Sequence, residues 1–246
     1  MDPLTISAAS GLRSRMESLE MLANNLANAS TAGYKKDAES YSLYLSDAVL
    51  RSGADADPVT ASLPVIERNW TDFSPGQLET TGNPLDMALT GGGFFTLQGP
   101  DGPLYTRAGH FHVTGDGTVT SSEGYAVLLD SGTPLAVDAS HPLQVSSSGA
   151  VSQNGQTLGQ LAIVKFASPG SMAKAAGTNY TSTQTPQAAD DATVLQGNIE
   201  GSNVSSPQSA VRLIDIMRQF EMLTKAVQVN AEMNSKAATE VAKVVS

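Results

Sequence analysis

The chain has no cysteine and a single tryptophan in 246 residues, and aromatic residues amount to 5%. The missing cysteine excludes disulfides, thiolate catalysis and Cys-ligated zinc. Basic residues are scarce too: 14 Lys and Arg stand against 24 Asp and Glu, a formal net charge of −10 at pH 7. An acidic surface repels nucleic acid and anionic lipid, so neither is an expected partner. Charge of either sign reaches only 15% of residues. Much of the polar surface must therefore come from Ser, Thr, Asn and Gln, which suits packing between subunits, where unpaired charge is costly to bury. No run approaches the ~20 consecutive apolar residues of a membrane span. The start, Met1-Asp2-Pro3-Leu4, lacks the basic and long apolar regions of a cleavable signal peptide, so any export is expected to use another route.

What the chain does have is concentrated at its ends. An apolar stripe runs through Leu12, Met16, Leu19, Leu22 or Ala23, and Leu26. A second steps through Leu213, Ile216, Phe220, Leu223, Val227, Asn230, Asn234, Ala237, Val241 and Val244. Alternating steps of about three and four mark helices that pack along their length. Pro3 and Pro207 suit first helical turns, and Gly33 suits a left-handed stop. A helix is expected over about Leu4–Ala29 and another from about Pro207 to the end. Polar residues on such stripes weaken a coiled coil but set its register. Asn24, Asn25 and Asn28, with Asn230 and Asn234, are therefore expected to hydrogen-bond across helices or between subunits.

Between the ends the sequence reads as β. Leu85, Met87 and Leu89 alternate as a strand with one buried face does. Gly99-Pro100-Asp101-Gly102-Pro103 and Thr114-Gly115-Asp116-Gly117 are turn sequences separating short apolar runs. Phe94, Phe95, Tyr105 and Phe111 are the expected core. Further strands are expected within Leu143–Val151 and Leu158–Phe166, and residues from about Ala167 to Ala192 read as an irregular return. The fold class is α+β: long terminal helices pairing as a coiled coil, with a central, mainly antiparallel β domain. The divisions are 1–36 helical axial segment, 37–70 connector (weakly helical or extended from Asp37 to about Arg51), 71–195 β domain with the return, and 196–246 helical axial segment.

Residues that could carry chemistry lack supporting context. His110 and His112 share one strand face, but no carboxylate cluster completes a metal site. Gly91-Gly92-Gly93 is followed by Phe94-Phe95 rather than the Gly-Lys-Ser/Thr of a phosphate loop. Asp55 with Asp57, and Asp190 with Asp191, sit in loop-like sequence without a partner base. No enzyme, cofactor or metal is expected.

Several segments, taken in order, resemble the flagellar rod and hook proteins of bacteria. They are Ala23-Asn24-Asn25-Leu26-Ala27-Asn28-Ala29-Ser30-Thr31-Ala32-Gly33-Tyr34-Lys35, the run Asp72 to Leu89, Gly93-Phe94-Phe95, Tyr105 to Phe111, Gly124 to Leu128, and Gly197 to Val204. Together they span nearly the whole chain. Met217-Arg218-Gln219-Phe220-Glu221-Met222 is more similar to the proximal-rod than to the distal-rod branch. The resemblance implies a structural subunit of the basal-body rod. It would polymerise into a hollow periplasmic shaft that transmits torque and passes exported subunits. Its implied partners are other rod subunits and the flagellar type III export apparatus. Leu12, Leu19, Leu26, Ile216, Phe220, Leu223 and Val227 would then provide axial packing. A distal-rod or hook-type protein is the alternative; a secreted β-domain enzyme or adhesin would need convergent carboxylates on one sheet face.

Overall fold

The computed structural model describes residues 3–45, 62–189 and 191–245. The chain divides into two compact units, one of Met1–Ala27, Asp37–Trp70 and Ser205–Ser246, the other of Asn28–Lys36 and Thr71–Val204. The expected pairs Asp55/Asp57 and Asp190/Asp191 each include residues outside the described ones.

The first unit holds both long helices. Helix α1 is Pro3–Ala27 and α2 is Ser206–Val245. α1 stops two residues short of the expected end because the chain turns at Asn28, whose carbonyl accepts from Thr31 N at 3.1 Å. α2 starts as its Ser-Pro sequence dictates, with the Ser205 carbonyl accepting the first bond from Ser209 N at 2.9 Å. The segment from Asp37 is extended, not helical: β1 (Asp37–Leu45) pairs with β2 (Ser62–Thr71) in a two-stranded sheet. α1 lies against α2 and against β1.

The second unit is built of β-strands, and its pairings are antiparallel. Among the described residues its main sheet has nine strands, with Phe94–Gln98 and Pro103–Thr106 at the centre. Alternation along Phe94–Gln98 sends Phe95 and Leu97 into one core and Phe94 into another. The first core gathers Met87, Phe95, Leu97, Phe111, Val119 and Val127, among others. The second gathers Phe94, Tyr105, Phe166, Met172 and Tyr180. All four aromatics expected in the core are buried, but they divide between the two faces.

Two expectations for this unit need correction. The strand Met87–Thr90 is not buried on one face only, since Met87, Ala88 and Leu89 are all buried. It pairs with the strand Thr193–Gln196, and Ala88 is small enough to be covered on the side away from the main core. The return after Ala167 is not irregular throughout. It contributes a short 3-10 helix (Pro169–Ser171) and the strands Ala173–Lys174, Asn179–Thr181 and Gln187–Ala188. The second of these pairs with Pro103–Thr106 and buries Tyr180 completely.

Some glycines are demanded by contact rather than by conformation, Gly109 most tightly. A Cβ on Gly109 would lie 1.5 Å from the Met87 carbonyl oxygen, at a close crossing where Met87 N donates to Gly109 O at 2.9 Å. Gly115 has nothing within 4 Å of its Cβ direction. Gly109→Ala is therefore expected to destabilise the β unit by about 3 kcal/mol or more, and Gly115→Ala by less than about 0.5 kcal/mol. Urea unfolding midpoints at unchanged slope check this.

Candidate functional site

The residues expected to pack axially lie in the helical unit. Along α2, Leu213, Ile216, Gln219, Phe220, Leu223, Thr224, Val227 and Asn230 are buried or half-buried, and most of the residues between them are exposed. The steps of three and four survive as far as Asn230, whereas Asn234 is exposed. On α1 the buried line is Gly11, Ser14, Ser18, Leu22 and Asn25. Leu12, Leu19 and Leu26 flank it, half-buried, and Met16 is 52% exposed. Small side chains let neighbouring backbone come close. The buried Ser18 hydroxyl is satisfied locally, donating to Ser14 O at 2.9 Å.

The asparagines divide in a way the sequence does not indicate. Asn25 is buried and clasps one backbone residue from both sides. Its Nδ2 donates to Asp37 O at 2.8 Å and its Oδ1 accepts from Asp37 N at 2.9 Å. It thus ties the end of α1 to the start of β1. Asn28 Oδ1 accepts from Thr31 Oγ1 at 3.2 Å in the turn after the helix, and Asn24 faces outward. A second polar tie in this unit joins Arg212 NH2 to Glu39 Oε1 at 2.7 Å.

α2 has another apolar side. Val211, Ile214, Met217, Met222, Val229 and Met233 are exposed, Met222 and Met233 to 64%. At 100° per residue, Val211, Met222, Val229 and Met233 cluster on one side of the helix, away from the Ile216–Phe220–Leu223–Val227 line. Asp215 and Arg218 share that side between Val211 and Met222, and Lys225 lies beside Met222, so the apolar line is interrupted by charge; large apolar side chains left exposed on one side of a helix still mark a candidate contact surface.

Within the β unit the most concentrated chemistry is a buried ionic knot. Glu200, 1% exposed, ends the strand Asn198–Glu200. Its Oε1 accepts from Lys35 Nζ at 2.5 Å and from Gly76 N at 2.9 Å, and its Oε2 from Arg107 NH1 at 3.4 Å. Lys35, 0% exposed, also donates to Ser74 O at 2.8 Å. Arg107 donates to Leu89 O at 3.1 Å and Gly91 O at 2.6 Å, with its guanidinium 5.5 Å from the Phe94 ring centroid. Burial lowers the pKa of Lys35 and of Arg107, and the Glu200 carboxylate opposes the shift in both. Gly33 (φ +68°) brings the chain in, and its N donates to Glu200 O at 2.6 Å. A Cβ there would lie 2.2 Å from Ala108 N. Tyr34 is buried beside it, with Lys174 Nζ 4.3 Å from its ring centroid and donating to Lys35 O at 3.0 Å. Lys35, Arg107 and Glu200 stand in the signature segments, but nothing in their spacing reveals that they meet. The available signal is charge itself, set among Gly, Tyr and Ile in a chain poor in charge.

The other candidate groups do not converge. His110 Nδ1 meets Asp86 Oδ1 at 2.7 Å, while His112 Nε2 meets Thr120 Oγ1 at 3.0 Å, so different neighbours engage the two rings. Among the described residues, no three His, Cys, Asp or Glu side chains are grouped to hold a metal ion. A concavity of about 420 Å³ is lined by Leu85, Val113, Asp138, His141 and Leu143. There Ser140 Oγ donates to Asp138 at 2.6 Å rather than to His141, the wrong order for a Ser–His relay. The Ser140 hydroxyl and N–H, with His141, hold Asp138 at a pKa of about 2.

The knot makes a directional prediction. Glu200→Ala leaves two buried cations without their carboxylate and is expected to cost about 3–5 kcal/mol. Lys35→Met leaves Glu200 paired with Arg107 and should cost less. Chemical denaturation of both variants checks the ranking.

Three family models match the chain: "Flagella basal body rod protein" over residues 7–35, "Flagellar hook protein FlgE/F/G D1 domain" over 88–156, and "Flagellar basal body rod FlgEFG protein C-terminal" over 195–240. The chain is similar to the flagellar basal-body rod protein FlgF of Caulobacter vibrioides, 31% identical over 238 residues and 92% of each chain. FlgF of Mesorhizobium japonicum is 27% identical over 95% of this chain and 94% of its own. FlgG of Agrobacterium fabrum is 32% identical over 93% of this chain and 95% of its own. The helices fall in the first and last matches and the knot draws on all three, and on its similarity to relatives over more than nine-tenths of its length the chain belongs to the flagellar basal-body rod protein family, the structural subunits of the bacterial flagellar rod.

Proposed function

We propose that this chain is a proximal-rod subunit whose terminal helices pair as a coiled coil and pack against neighbouring copies in a hollow shaft. In that shaft the helical units resist bending and pass torque, and the bore passes exported subunits. The observation that carries this reading is the second apolar side of α2, Val211, Met222, Val229 and Met233, which lies in water in the single chain. A helix with one covered and one open apolar side is built for two partners. Leu12, Leu19, Leu26, Ile216, Phe220, Leu223 and Val227 are assigned to packing within and along the shaft. Asn24, Asn28, Asn230 and Asn234 are assigned to setting its register. Asn25 joins that set by fixing where β1 leaves α1. Export through the flagellar type III apparatus and assembly in the periplasm follow from the family resemblance. The similarity to FlgG supports a distal-rod position as the second reading.

Mass spectrometry of purified hook–basal bodies, with motility of a strain lacking the chain, tests the role. The chain is expected in the stripped rod, and swimming is expected to be lost; absence from the rod with swimming intact overturns the proposal. Met222→Glu with Met233→Glu is expected to leave monomer melting within about 2 °C of wild type, since both side chains are exposed. The same pair should abolish incorporation into rods, read as loss of basal bodies by electron microscopy.

A further inference from the structure

The chain passes between its two units four times: after residues 27, 36, 70 and 204. Inside the β unit, three of these passages are gathered on one side chain. Asn203 Oδ1 accepts from Lys36 N at 2.8 Å. Its Nδ2 donates to Asp72 O at 2.7 Å and reaches Ser74 O and Ser74 Oγ at 3.1 Å each. Its own N donates to Tyr34 O at 3.3 Å. Asp72 N donates to Lys36 O at 2.9 Å, and Lys36 Nζ lies 3.3 Å from Asp72 Oδ2. The fourth passage enters through the turn at Asn28 and reaches Gly33, whose N is bound by Glu200 O. Glu200 and Asn203 are three residues apart on one short segment, so the same piece of chain receives every passage.

We propose that Asn203, backed by Glu200, is a tension clamp that carries force directly between the chain segments that leave the β unit after residues 36 and 204, and spares the strands of the main sheet. From Lys36 to Asn203 the covalent path runs through β1 and β2 and then through the whole β unit. The hydrogen-bonded path is one side chain long. Tension between residues 37 and 205 therefore meets the bonds of Asn203 before it meets any strand of the main sheet. Two bonds join residue 203 directly to the 34–36 segment, Lys36 N to its Oδ1 and its own N to Tyr34 O, and the Nδ2 bonds join it to Asp72 and Ser74, with Asp72 N tied back to Lys36 O, so the load divides over parallel links. The Glu200 carboxylate, holding Lys35 and Gly76 a few residues away, keeps both sides of the clamp from rolling apart. This device rests on the proposal that the subunit carries load, but its mechanics can be measured without a flagellum.

The absence of native cysteine allows handles to be placed at will. In single-molecule pulling, one double-cysteine variant carries Ala38→Cys with Ser205→Cys, which loads the clamp. A second carries Asp101→Cys with Ser131→Cys, on exposed turns, which loads the sheet. Asn203→Ala is expected to raise the unfolding rate at fixed force about tenfold or more in the first geometry, as Lys36 N and Asp72 O lose their Asn203 partner. In the second geometry the rate should stay within about twofold, because the load bypasses the clamp. Asn203→Asp keeps the acceptor for Lys36 N and loses the donor, so it should fall between, and it serves where the alanine variant does not fold. Equal effects in both geometries would make Asn203 an ordinary stabilising residue, and no effect in the first would remove the clamp; either overturns the proposal. If the clamp is found but rods form and turn normally without the chain, the load-carrying role has failed instead.

Discussion

The carboxylate of Glu200 is the interaction on which the β unit's organisation turns. It lies out of water, between two cations from distant parts of the sequence, and also accepts from a backbone N–H of a further segment. Desolvating three charges is unfavourable in itself. Further partners on Ser74, Leu89 and Gly91 offset that cost, while the Arg107 Nε is buried without a partner among the described residues. What it gains is specificity rather than bulk stability. An apolar contact tolerates a shifted neighbour, but a buried ion triad does not. It makes the segments at Lys35, Gly76, Arg107 and Glu200 take up one arrangement among the many that a chain rich in Ser, Thr and Gly would otherwise allow.

The helical unit follows a different logic. Here small residues do what charges do in the β unit. Gly11, Ser14 and Ser18 form much of the buried line of α1, and the longer Leu12, Leu19 and Leu26 lie beside it. The amide of Asn25 then closes on the backbone of Asp37, so the helix end and the following strand are joined by a two-way bond without burying a charge. α2 keeps the heptad-like spacing over Leu213 to Asn230 and carries a further set of apolar residues on another side.

The helices and most hairpins are legible in the sequence because their signals are local: Pro3, Pro207, the three-four steps, and turns such as Gly99 to Pro103. The apolar stripe of α1 runs beside the buried line rather than along it, because Leu12, Met16 and Leu19 are apolar while Ser14 and Ser18 are not. Hydropathy cannot see that a buried line is chosen for size. The strands after Ala167 are hidden for a related reason. Ala173, Lys174 and Asn179 have weak strand propensity and are held by pairing, the last against Thr106. The ionic knot is invisible for the most general reason. Its members are separated by up to 165 residues, and no pattern of spacing connects them. Only their unusual placement beside Gly33, Gly201 and Tyr34 marks them.

The two cores on either face of the Phe94–Gln98 strand have a consequence for how the β unit stays in register. Phe94 and Phe95 are adjacent, and each belongs to a different core. Sliding that strand by one residue would put one phenylalanine where the other had been, so at this pair hydropathy does not resist the error, and the resistance falls to Leu97, whose place in the first core Thr96 or Gln98 would take. A steric safeguard stands next to it. Gly109 sits where any side-chain carbon would strike the Met87 carbonyl, and that carbon would also lie 3.4 Å from the Phe95 ring. A slip that carried Ala108 or His110 into that crossing would be refused. The hydrogen atom of a single glycine thus proofreads the alignment of the 107–111 segment against Met87, next to Phe95, a form of error correction that works by exclusion rather than attraction.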